Sequence, residues 1–141
     1  MLLLTFEGID GSGKSTQARR LAAFLREQGH DPLLVREPGG TELSEKIRAT
    51  LLEPDVNVHP MAELLLFSAA RTQLVTERIQ PALEAGRIVI CDRFYDSTTA
   101  YQGAGRGVAD PAWLQSFHRR VTDGLVPDRT YLIALDPETA Q

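Results

Sequence analysis

The chain has one cysteine, Cys91, only two lysines among its fifteen basic residues, and three widely separated histidines. A single thiol excludes an internal disulfide and a cysteine-based zinc framework. Placed in the apolar run Ile88-Val89-Ile90-Cys91, it is expected to be buried and free. His30, His59 and His118 lack ligand spacing and are expected at the surface or at helix ends. Long apolar runs are also missing. The opening stretch Met1 to Phe6 has no basic flank and stops at Glu7, so neither a signal peptide nor a membrane span is expected, and a cytoplasmic location follows. Nor is there a positive excess: fifteen basic against nineteen acidic residues give a net charge of −4. That balance argues against a dedicated nucleic-acid or membrane surface and leaves room for a local basic cleft. No internal repeat or low-complexity tract is visible, and 141 residues are enough for a single domain, 1–141, with a real core.

With lysine so scarce, Lys14 answers a specific need. It belongs to Gly8-Ile9-Asp10-Gly11-Ser12-Gly13-Lys14-Ser15-Thr16, which fits G-x-x-x-x-G-K-[ST]. Leu2 to Phe6 read as a buried strand before it, and Ala18, Leu21, Ala22 and Leu25 recur at helical spacing after it. In that context the motif is a phosphate-binding loop rather than a glycine-rich surface turn. Backbone N–H groups, the helix dipole and the Lys14 ammonium converge on one anion, the lysine reaching the β- and γ-phosphates, and the Ser15 hydroxyl is available to Mg²⁺.

Further along, Gln28-Gly29 reads as a helix stop and Pro32 to Val35 as a second buried strand. Arg36-Glu37-Pro38-Gly39-Gly40 turns away from it, and Thr41 can cap a helix bearing Leu43, Ile47 and Leu51. A long helical region from Pro60 is apolar on more than one side, and Pro81 is expected to break or kink it. Arg87 to Cys91 form a third strand ending in Asp92-Arg93. Ser97 to Gln102 look helical, Gly103 to Gly107 look like a flexible loop, and Asp110-Pro111 opens a helix closed by Gly124. Tyr131 to Leu135 read as a fourth strand, and Asp136-Pro137-Glu138 as the start of another helix. Strands alternating with helices predict an α/β fold with a parallel sheet and right-handed crossovers.

Ligands of such sheets sit outside the carboxyl ends of the strands, where Asp10, Lys14, Glu37, Asp92 and Arg93 gather. Asp92 is placed to hold Mg²⁺ through water and Arg93 to fork onto a second phosphate; the alternative is a strand-end ion pair. Phe67 and Arg71, four residues apart, share a helix face and could grip a planar heterocycle, or form a core ring beside a solvated guanidinium.

Taken together, Gly8 to Thr16, Arg36 to Thr41, Phe67 with Arg71, and Asp92-Arg93-Phe94 followed by Ser97 to Gly103 resemble bacterial thymidylate kinase, over Leu2 to about Leu135. The resemblance implies a three-layer P-loop nucleoside-monophosphate-kinase fold, transfer of the ATP γ-phosphate to dTMP with Mg²⁺, and a homodimer, which the apolar excess of Pro60 to Ile79 also suggests. It further implies roles for individual residues. Asp10 meets the sugar 3′-hydroxyl, Phe67 stacks on thymine, Arg71 bonds its O4 edge, and Thr98 and Gln102 bond the base beside Ser97. Tyr101 fills the space of a ribose 2′-hydroxyl. Arg93 holds the acceptor phosphate, with Glu37 and Arg48 completing that side. A phosphate monoester has a second pKa near ~6, so its attacking oxygen needs no general base. One departure stands out: the loop interior, Gly11 and Ser12, carries no arginine to clamp the transferring group. The family supplies it otherwise from a lid after the fourth strand. The expectation is therefore a chain that lacks the lid and a fifth strand, binds nucleotides and turns over slowly. Another small-molecule P-loop kinase and a non-catalytic nucleotide-binding domain are the alternatives; the absence of an N-K-x-D element weighs against a guanine-specific switch.

Overall fold

The structure is a computed structural model that describes residues 1–136, 138 and 139. Four parallel strands, β1 (Leu2–Glu7), β2 (Leu33–Arg36), β3 (Ile88–Asp92) and β4 (Arg129–Leu132), lie in the order β2-β3-β1-β4. The register places Phe6 opposite Asp92, Arg36 opposite Asp92, and Glu7 opposite Leu132, so the charged strand ends share one edge. Among the described residues six α-helices accompany the strands: α1 (Lys14–Glu27), α2 (Glu42–Leu51), α3 (Pro60–Leu74), α4 (Gln80–Glu84), α5 (Tyr95–Thr98) and α6 (Pro111–Val121).

Neighbouring residues of each inner strand face opposite layers, which is why the strands read as unbroken apolar runs. Leu33, Val35, Val89 and Cys91 pack with Leu74, Val75, Ile79 and Leu83 on one face. Leu34, Ile88 and Ile90 pack with Ala18, Leu21, Ala22 and Leu25 of α1 on the other. The sheet is thus sandwiched between helical layers. Cys91 is a buried free thiol, as its sequence setting implies.

Local signals set most boundaries. Thr41 accepts a hydrogen bond from Ser44 N at 3.0 Å and starts α2, and Asp110 accepts from Trp113 N at 2.9 Å and starts α6. Gly29 and Gly124, both at positive φ, close α1 and α6. Pro81 does not end the long helical region. A π-helical turn, Val75–Ile79, widens the backbone just ahead of it, and Gln80 N bonds Val75 O, so α4 resumes with the proline in its first turn, where no N–H is required.

Three expectations need correction. The fourth strand begins at Arg129 and ends at Leu132, earlier than the apolar run 131–135, because Asp128 pins the register. Its N–H reaches Leu3 O at 2.9 Å and its carboxylate accepts from Leu3 N at 2.7 Å. All four β4 residues are exposed: unlike β2 at the opposite edge, the strand contributes to neither core cluster. Second, the segment after Asp92 is helical from Tyr95, and a second π-helical turn, Thr99–Ala104, takes in the first glycine of the expected loop. Gly103 is buried there; a Cβ would lie 2.4 Å from Leu114 Cδ1. Third, His118, expected at the surface or at a helix end, does lie in the last turn of α6 but is 3% exposed, stacks on Tyr95 at 5.3 Å and shares a 3.0 Å hydrogen bond with Thr99. Its position in the last turn of α6 faces inward. Burial pushes its imidazole pKa down to about 4. The helix start expected at 136–138 falls partly outside the described residues; within them, Asp136 Oδ1 accepts from Glu138 N at 3.1 Å. No described helix is long and apolar enough to cross a membrane.

Candidate active site

The loop between β1 and α1 is shaped by backbone conformations open to glycine. Gly8 has φ 152°, and a Cβ on it would fall 2.8 Å from both Ile133 O and Ser12 Oγ. Gly13 occupies the N-cap of α1 in the left-handed region and provides no side-chain cap. The first N–H groups of α1 are consequently left for an anion. Lys14 is buried, with its Nζ 3.4 Å from Ile9 O and 3.6 Å from Asp10 Oδ1. Ser15 Oγ donates to Asp92 Oδ2, while Asp92 Oδ1 is enclosed without a hydrogen-bond partner. An unspent carboxylate oxygen beside a hydroxyl is a donor set that suits a hard divalent cation.

Two adjoining cavities open at this edge. One, of about 200 Å³, is lined by Asp10, Lys14, Ser15, Arg19, Arg36, Glu37, Arg48, Asp92 and Arg93. The other, of about 360 Å³, is walled by Phe67, Thr98, Tyr101, Gln102, Glu63, Leu51 and Leu52. Asp10, Glu37, Arg48 and Arg93 line both. A phosphate-sized, cation-rich compartment therefore meets a larger compartment with an aromatic wall.

The shared residues are tied to one another. Arg93 Nη2 donates to Asp10 Oδ1 at 2.5 Å and Nη1 to Ser97 Oγ at 3.1 Å, and the guanidinium lies 5.5 Å from the Tyr101 ring centroid. Its hydrogen bond to Asp10, foremost, holds that carboxylate below its ordinary pKa. Arg48 Nη1 donates to Pro38 O at 3.0 Å. Glu37 accepts from Arg71 Nε at 2.7 Å, and Arg71 Nη2 donates to Thr98 Oγ1 at 2.7 Å. Burial raises the Glu37 carboxyl to about 7 in spite of Arg71. Arg71 is 2% exposed and stands behind the wall of the larger cavity, with Nη1 enclosed and unpartnered. Of the residues read from the sequence as substrate-binding, Asp10, Glu37, Arg48, Phe67, Arg93, Thr98, Tyr101 and Gln102 line the larger cavity, whereas Arg71 and Ser97 support it from outside.

Sequence reasoning passed over Glu7, Glu63, Arg19 and Arg36. Glu63 accepts from Gln102 Nε2 at 2.8 Å and pairs with Arg106 at 3.4 Å. Arg19 and Arg36 line the loop-side cavity. Glu7 is buried at the end of β1, accepting from Phe94 N at 2.8 Å and from Ser97 Oγ. An acid closing an apolar strand was the available signal, the same one that marked Asp92.

A family model described as thymidylate kinase matches residues 6–141. The chain belongs to the thymidylate kinase family. It is 54% identical over 139 residues to a thymidylate kinase of Chlorobium luteolum, covering 99% of this chain and 64% of the relative. It is 51% identical over 136 residues to one of Deinococcus radiodurans, covering 96% and 66%. The chain thus spans just under two thirds of the length of these relatives. The crystal structure of thymidylate kinase from Ehrlichia chaffeensis superposes with a TM-score of 0.89 at 42% identity, covering 99% of this chain and 79% of that one. Its parallel sheet, covered on both faces and carrying the glycine loop between β1 and α1, is the P-loop nucleoside-monophosphate-kinase fold of that family.

Proposed function

We propose that the two joined cavities bind ATP and dTMP, and that the site transfers the γ-phosphoryl group of the first to the phosphate of the second. The observation that carries this is the sharing of Asp10, Glu37, Arg48 and Arg93 by a loop-side and an aromatic-walled cavity. Two phosphates drawn to the two compartments face each other across one pair of arginines. Lys14 and the N–H groups of α1 hold the β- and γ-phosphates of ATP. Arg93 holds the acceptor phosphate, Phe67 stacks on thymine, and Thr98 and Gln102 bond the base edges. Arg71, fixed by Glu37 and Thr98, keeps Nη1 without a partner, and this nitrogen bonds the O4 edge of the base. Tyr101 closes the space beside the sugar, and Asp10 meets its 3′-hydroxyl.

Ser15 and Asp92 hold Mg²⁺, which when bound neutralises charge on the β- and γ-oxygens. Among the described residues no three His, Cys, Asp or Glu side chains cluster to form a metal cage. That fits a magnesium site that completes its shell with phosphate oxygens and water. The acceptor monoester is already an anion near neutral pH, so the residues need to align two anions and need not remove a proton. We place this reaction in the cytoplasm, in a homodimer formed over the outer side of α3, where Leu65 is 52% exposed.

Coupled ADP release measured with each nucleoside monophosphate, alongside calorimetry of the same ligands, tests the assignment. Binding of dTMP well above UMP and GMP is expected, because a pocket walled by Tyr101 resists a 2′-hydroxyl and a purine. Equal affinity for dTMP and UMP would remove Tyr101 from this role. No arginine lies within the loop interior, so turnover within the ~1–100 s⁻¹ usual for kinases would show that an arginine elsewhere, such as Arg106, clamps the transferring group.

A further inference from the structure

Glu7 lines neither cavity and is 4% exposed, yet it bonds residues that follow and orient Arg93, which lines both. Both of its oxygens are spent on one short stretch of chain. Oε1 accepts the N–H of Phe94 at 2.8 Å, and Oε2 accepts the Ser97 hydroxyl, whose oxygen accepts in turn from Arg93 Nη1 at 3.1 Å. Arg93, between them and β3, has φ 73°, a left-handed conformation that a non-glycine residue holds only when its surroundings impose it. Its own N–H is tied to Phe6 O at 2.9 Å, one residue before Glu7. Desolvating a carboxylate is costly, and packing alone is served better by an apolar side chain. What an acid adds here is two directed acceptors, one on the backbone that follows Arg93 and one on the hydroxyl that orients its guanidinium.

We propose that Glu7 is a positioning residue of the acceptor site, fixing through Phe94 N–H and Ser97 Oγ the turn and side-chain direction that bring Arg93 to the mouth shared by the two cavities. The proposal rests on Arg93 holding the acceptor phosphate, as above. Recognition of the monophosphate then depends on a carboxylate that the ligand never touches, while the triphosphate, held chiefly by Lys14 and α1, depends on it less.

The test is calorimetric affinity of the full chain for dTMP and, separately, ATP, with melting temperatures, in E7A, S97A and S97T. A displaced charge-assisted contact weakens dTMP on the order of tenfold in E7A and S97A. ATP affinity falls less than dTMP affinity, because Lys14 and the N–H groups of α1 hold its phosphates in addition to any contact with the shared Arg93. S97T, which keeps the hydroxyl, retains most of the dTMP affinity. Should E7A not fold, S97A decides, because it leaves the Phe94 hydrogen bond in place. Unchanged dTMP affinity in a folded variant, or equal loss for both nucleotides, would overturn the positioning role. Failure of the unsubstituted chain to bind dTMP would overturn the acceptor assignment itself, and the positioning role with it.

Discussion

Lys14 carries a charge into a nearly closed place, with its ammonium near only Ile9 O and an exposed Asp10. A lysine held so incompletely is preorganised for an anion, so K14A should weaken ATP binding by about tenfold or more while circular dichroism stays native. Calorimetry checks it, and undiminished affinity in a folded variant would deny the loop its role. Two other buried groups predict a pH dependence of stability. Glu37 is raised from 4.5 to about 7, so the unfolded chain releases its proton first; the stability it contributes is present below 4.5 and lost as pH rises through about 7. His118 runs the other way: lowered from 6.5 to about 4, it contributes stability above 6.5 that is lost as pH falls through about 4. The two oppose each other across the same window. E37Q should uncover the histidine, its Tm gaining at least about 3 °C on that of the unsubstituted chain between pH 4.5 and 7, the shift of roughly 1 kcal/mol in a chain this size. Parallel Tm curves would contradict the raised Glu37.

Among the elements, α6 stands behind the acceptor wall: Leu114 packs on Gly103 and His118 bonds Thr99. Its start depends on Asp110, so D110A should cost about 1 kcal/mol and lower the Tm by roughly 3 °C. Affinity for dTMP should hold, because Leu114 and His118 lie deeper in the helix than the cap; thermal melting and calorimetry on one sample separate the two. The same elements show what could be read in advance. Caps and stops were legible because Thr41, Asp110, Gly29 and Gly124 act on their own neighbours in sequence. The loop and the charged strand ends were legible for the same reason, since fold class alone puts parallel strand ends on one edge. The π-turns at Val75–Ile79 and Thr99–Ala104 were not, as each answers a tertiary demand: Pro81 must be accommodated, and Gly103 must meet Leu114. Nor was the inward turn of Arg71, whose partners Glu37 and Thr98 lie 34 and 27 residues away. Spacing placed Arg71 beside Phe67 on one helix face and gave no hint that the guanidinium was already engaged. β4 was misplaced because hydropathy marks burial, and an edge strand held by Asp128 is not buried.

At the scale of the molecule, α3 buries Leu64 and Leu74 against the body and leaves Leu65 outward, with Leu43 of α2 also 48% exposed. If these leucines meet a second copy, L65D should shift sedimentation at micromolar concentration from dimer to monomer with the melting temperature little changed. A monomer before any substitution would argue against the dimer. The last consequence concerns Asp10, whose side chain is 95% exposed yet touches the cations of both cavities, Lys14 at 3.6 Å and Arg93 at 2.5 Å. In a chain of net charge −4, that carboxylate screens the mouth from outside. A nucleotide within a Debye length, about 8 Å at physiological salt, meets a basic cleft whose exposed carboxylate weakens the pull of the lysine and arginine behind it. D10N should therefore raise the association rate seen by stopped flow and make it fall more steeply as salt is added.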